Sequence, residues 1–162
     1  MQIRALLLIF IVAVSHLTAG EATIGNLRFT LPEGYRHVPS KGIDTSVGRF
    51  FSGDGSCEIF YDIGPGAGSA LEKFSPEGQH DRVLRDKKII TGLGVGRFVA
   101  IRHLKDAKIS AVFSPKDGAN FYAINLTEKQ VDEFESIARS LLVVPDSNQK
   151  QSAQVQERSA TE

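Results

Sequence analysis

The chain has one cysteine, one methionine and no tryptophan in 162 residues. A single thiol closes no internal disulfide and builds no multi-cysteine zinc site, so any fold must be held by its core. Charge of one sign is also missing, because 19 Lys and Arg stand against 19 Asp and Glu. Nucleic-acid-binding domains carry a basic excess, and this chain has none. Long apolar runs are lacking too. The longest, Ala5 to Val14, is about half of the roughly 20 residues that a spanning helix needs.

What is present falls into three segments. Residues 1–20 combine a short charged start, the run from Ala5 to Val14 and the small-residue exit Ser15-His16-Leu17-Thr18-Ala19-Gly20. That order is expected of a secretory signal peptide, which implies an exported protein, periplasmic or secreted, with no membrane span after cleavage. Residues 146–162 read DSNQKQSAQVQERSATE. So polar a stretch buries too little surface to offset its ordering entropy, and a disordered tail is expected. Residues 21–145 hold sixteen cations and sixteen anions. Their length suits a single domain with its own core.

Within 21–145 the punctuation predicts the elements. Leu27, Phe29 and Leu31 alternate with Arg28 and Thr30, as in a half-buried strand that Pro32-Glu33-Gly34 stops. Residues 47–52 and 56–63 read as strands joined by a tight hairpin at Gly53-Asp54-Gly55. In the second, Cys57, Ile59, Tyr61 and Ile63 share one face; Ser56, Glu58, Phe60 and Asp62 share the other. A short helix is expected over Ser69–Phe74, with Ser69 and Glu72 as its capping box, and a second helical stretch from Ser75-Pro76 to about Leu84. Residues 87–91, 95–104, 108–114 and 120–126 read as further strands, and their short links favour antiparallel pairing.

No glycine lies in 119–145. There Thr127 and Gln130 fit a capping box, and Glu128, Asp132 and Glu133 suit the positive end of a helix. Val131, Phe134, Ile137, Ala138, Leu141 and Leu142 recur at helical spacing, and Pro145 ends the segment. The expected fold class is therefore α+β: an antiparallel sheet meander packed by a C-terminal amphipathic helix.

Candidate chemistry is sparse. Cys57 could act as a nucleophile with His80 or His103, but its strand parity places it on the apolar face, where a thiol behaves as a small hydrophobe. His37, His80 and His103 are too far apart in sequence for an HExxH-type ligand set, and no metal or cofactor is expected. The loop Gly64-Pro65-Gly66-Ala67-Gly68-Ser69 lacks the lysine of a phosphate-binding loop and reads as a connector. No Gly-x-Ser-x-Gly elbow occurs. Two basic clusters remain, Arg82, Arg85, Lys87 and Lys88, and then Arg97, Arg102 and Lys105. Interspersed acids make solvated strand faces the plain expectation for both. The second cluster with His103 (Arg97, Arg102, His103, Lys105) is the candidate partner-binding surface.

Three phrases together resemble the PsbP-like sandwich superfamily, which includes the DcrB-like periplasmic proteins. They are LRFTLPEGY, FSPKDGANFYAINL and EKQVDEFESIARSLLVV. Tyr35 stands where the family often has Trp. The resemblance implies an antiparallel sheet between helices and a non-enzymatic protein-binding or assembly role, with no catalytic signature to carry over. The expected function is an exported binding module for another protein or an envelope component. An inhibitor of a secreted toxin and a small Cys/His enzyme are the alternatives.

Overall fold

Alternation in the sequence becomes two antiparallel sheets. The computed structural model describes residues 19–68, 70–73, 81–116 and 118–145. The expected signal segment up to residue 18, the polar tail, Ser69 and residues 74–80 with His80 lie outside the described residues. The smaller sheet has the order β1 (Gly20–Ile24), β2 (Leu27–Leu31), β10 (Leu142–Val143). The larger sheet runs β3 (Arg36–Lys41), β4 (Ser46–Phe51), β5 (Glu58–Ile63), β9 (Ala119–Leu126), β8 (Ile109–Lys116), β7 (Gly94–His103), β6 (Asp81–Thr91). Every neighbouring pair in it is antiparallel.

One face of the larger sheet, the inner face, carries the main core. Phe50, Ile59, Phe98, Phe113 and Phe121 point there and meet Phe29 and Leu31 of the smaller sheet. Helix α2 (Glu128–Arg139) closes this layer with Val131, Phe134, Ile137 and Ala138. Phe121 lies at its centre, with ring centroids 5.2 Å from Phe29 and 6.0 Å from Phe113. Such aromatic pairs add about 0.5–1.5 kcal/mol each beyond their burial. Leu141 completes the layer just past the helix, whereas Leu142, expected on the same apolar stripe, is 49% exposed in β10. The helix has stopped at Ser140, so helical spacing no longer governs Leu142.

The expected cap is present in full. Gln130 N donates to Thr127 Oγ1 at 3.3 Å, and Thr127 N donates to Gln130 Oε1 at 2.8 Å. Two orphan donors of the first helical turn are thereby satisfied. Further along, Glu135 turns its carboxylate inward, a position the hydrophobic pattern does not reveal. Arg139, Arg85 and Lys87 all bond it, at 2.6, 3.0 and 3.2 Å. Burial alone would raise its pKa, but these cations outweigh burial and hold the carboxyl below its ordinary value.

Three further expectations change. Residues 81–84, read as the end of a helical stretch, belong to strand β6, which pairs with β7 from Asp81 to Thr91 around a bulge at Val83/Arg85. Cross-strand pairing along eleven residues overrides a weak local helix signal. The β4–β5 connection is wider than a tight hairpin, spanning Ser52 to Cys57. Its shape is set by Asp54, whose carboxylate accepts from Ser52 Oγ and Ser56 N, and by Gly55 at φ +70°. Those hydrogen bonds push the Asp54 pKa down to about 2. Strands β1 and β3 were not expected; β3 is an edge strand that contains Pro39 and is mostly exposed.

Candidate functional site

The opposite, outer face of the larger sheet is covered unevenly. Over β7, β8 and β9, Ala70 and Leu71 of α1 (Ala70–Lys73) pack on Val99, Ile101, Val112 and Tyr122. Asn120 pins the approach to this cover, accepting from Ala70 N at 3.0 Å and donating to Gly68 O at 2.5 Å. The connector expected at Gly64–Gly68 is thus tied to the sheet.

Over β3, β4 and β5, a groove of about 360 Å³ opens on this face instead. Period-2 alternation builds it: Val38 and Ser40 from β3, Val47 and Arg49 from β4, Phe60 and Asp62 from β5, and Tyr122 from β9. The register sets Phe60 directly opposite both Arg49 and Tyr122. The Phe60 and Tyr122 rings stack at 5.6 Å and 23°. Arg49 donates to Glu58 at 3.0 Å, and its guanidinium lies 5.8 Å from the Phe51 ring centroid. Asp62 is half-buried, and its Oδ1 is buried without a hydrogen-bond donor. Behind the groove a Cβ on Gly48 would come 2.4 Å from Tyr61 Oη and 2.6 Å from the Val38 carbonyl oxygen, so glycine lets that inner-face tyrosine lie across the strand.

Cys57 lies on the inner face, 1% exposed, as its parity predicted. Burial pushes its thiol pKa up, away from a reactive thiolate. Tyr35 Oη lies close by and donates to Glu133 Oε2 at 2.8 Å; burial first, then Cys57 and Glu133, push its phenol pKa far up. His103 lies on the outer face and bonds elsewhere, so the structure does not bring Cys57 and His103 together. Its Nδ1 faces Asp81 Oδ1 at 3.2 Å, and its Nε2 faces Ser110 Oγ at 2.8 Å. The order of groups matches that of a serine relay, yet Ser110 is only 6% exposed. His37, in β3, has its Nε2 2.8 Å from Tyr61 Oη, and burial lowers its pKa.

The basic residues singled out from sequence do not form one patch. Arg97, on the outer face, makes a two-bond pair with Asp86 at 2.9 and 2.8 Å. Arg102, on the inner face, bonds Glu128 at the start of α2, and its Nε is buried without an acceptor. Lys105 is exposed in the turn after β7. Arg97 and Arg102 stand five positions apart along the strand, about 17 Å. Sequence reading missed Phe60, Asp62 and Tyr122 as a group. The available signal was Phe60 itself, an aromatic residue among the polar positions of its strand.

Among the described residues no three His, Cys, Asp or Glu side chains converge on a metal-ion position. No described helix is long and apolar enough to cross a membrane. The fold defines the class as α+β, with antiparallel sheets and one main helix. No protein-family model matches the chain, and no curated protein does.

Proposed function

We propose that this chain is an exported binding module that recognises another protein of the cell envelope through the outer face of β3, β4, β5 and β9. One observation carries the reading. On the outer face, beyond the small patch that α1 covers, a groove is floored by stacked Phe60 and Tyr122, beside Asp62, whose buried Oδ1 has no hydrogen-bond partner. Aromatic floors with a few polar groups are what recognition sites are built from. The charged start and apolar run of residues 1–20 support export, and the PsbP-like resemblance points to the same kind of role.

Photo-crosslinking tests this directly. A photoreactive residue at Val38 or Ile124, exposed on the outer face, should give one recurring adduct in envelope extract. The adduct should disappear with Phe60→Ala, and a probe at Lys105 should not give it. Equal adducts from all three positions, or none from Val38 and Ile124, would remove the proposal.

The Asp81–His103–Ser110 relay favours a second reading, acyl transfer by Ser110. Its Oγ would attack a carbonyl while His103 takes the proton and returns it to the leaving group. The burial of Ser110 weighs against it. A fluorophosphonate that labels wild-type protein but not Ser110→Ala would make this the better reading.

A further inference from the structure

Among the described residues the groove holds a carboxyl without a paired cation. Asp62 has a buried Oδ1 with no donor, and no cation pairs with it among the described residues. Among the described residues that line the groove the one cation, Arg49, is held by Glu58 at 3.0 Å, so that pair is neutral as a unit. Asn120, directly opposite Asp62 on β9, commits its amide to the Gly68 carbonyl and Ala70 N–H. A half-buried carboxyl with one oxygen lacking a donor is complementary to a positive ligand group in the groove. The negative face of the Phe60 ring favours the same sign of charge.

The surroundings indicate how such a cation arrives. Val38, 38% exposed, lines the groove, and half-buried Phe51 and 54% exposed Ile124 stand two residues beyond Arg49 and Tyr122 on the same strand faces. This apolar rim suits the methylene stem of a long cationic side chain and the residues that flank it. A free small cation would leave the rim wet. Arginine is enriched among the anchors of protein–protein contacts, where neighbouring contacts exclude water from the anchor. We infer that the groove receives a lysine or arginine side chain presented by a partner protein. This rests on the recognition reading above and names its occupant.

Titration of 15N-labelled protein with acetyl-Val-Arg-Val-amide tests the inference. The comparison ligand is the same peptide with citrulline, which keeps the shape and removes the charge. The arginine peptide should shift the amides of Val47, Phe60 and Asp62 and bind about tenfold more tightly than the citrulline peptide. Asp62→Asn should erase that gap with inner-face resonances unchanged, and Arg49→Gln should widen it. If both peptides shift the same amides equally and Asp62→Asn changes nothing, the cation inference falls while the groove reading stands. If acetyl-argininamide binds as tightly as the peptide, the occupant is a small cation and not a protein. If neither peptide shifts the groove, the inference fails; adducts at Ile124 would then show that recognition survives without it.

Discussion

The two faces of the larger sheet share seven strands but differ in what each residue does. On the inner face Phe50, Phe98, Phe113 and Phe121 are at most 1% exposed and meet a second sheet and a helix. On the outer face a small cluster of Val99, Ile101 and Val112 is packed by Ala70 and Leu71 of α1, while Val38, Val83, Ile90, Val95 and Ile124 stay exposed. Stability therefore concentrates on one side, and the other is left to carry side chains whose positions the core does not require. Phe60 and Asp62 stand beside Ile59 and Tyr61 in the same strand, so one peptide serves both purposes.

Substitutions should separate the faces in a graded way. The largest effect is expected from Phe121→Ala, which opens a cavity between Phe29, Phe50 and Phe113; chemical denaturation should show a loss of about 3–5 kcal/mol. Next comes Glu135→Gln, which leaves three cations without their shared carboxylate, with an expected loss of about 2 kcal/mol at neutral pH. Its pH dependence has a definite sign. The folded-state pKa of Glu135 lies below the ordinary value of 4.5, so its contribution is full above that pH. The contribution is lost as pH falls through the folded pKa. The wild type and Glu135→Gln stability curves should converge in acid, and a constant gap between them would refute the assignment.

On the outer face the effects shrink. Phe60→Ala should cost about 1 kcal/mol, because its ring is only half-buried, and a cost equal to that of Phe121→Ala would erase the distinction between the faces. Asp62→Asn should be neutral or slightly stabilising, by less than about 0.5 kcal/mol, since it removes a charge from a carboxyl with an unpaired buried oxygen. Thermal unfolding that places Asp62→Asn well below wild type would mean that the carboxylate has a structural partner.

Much of the inner face was legible in sequence because its signals are local. The period-2 alternation of Cys57, Ile59 and Tyr61 and the helical spacing of Val131, Phe134 and Ile137 each point one way. Thr127 and Gln130 mark the helix start within four residues. Strand β3 escaped detection because Arg36–Lys41 is an exposed edge with no apolar alternation and a proline. Strand β6 was half seen, since Asp81 to Asp86 breaks its alternation at the Val83/Arg85 bulge and takes its conformation from β7. Glu135 was hidden because its burial depends on cations from β6. The groove was the least legible: it needs the β5–β9 register that sets Phe60 against Tyr122, and no local pattern encodes that pairing.

The two rims of the larger sheet have a consequence of their own. At one end the edge strand β3 contains Pro39, which has no backbone N–H to donate. At the other, β6 bends at Val83/Arg85 and carries Arg82, Arg85, Asp86, Lys87 and Lys88. An open seven-stranded sheet is a template onto which a second chain could add strand by strand. Here a missing donor guards one rim, and a kink with charge guards the other. The sheet can thus leave its outer surface available for contact without growing into a fibre.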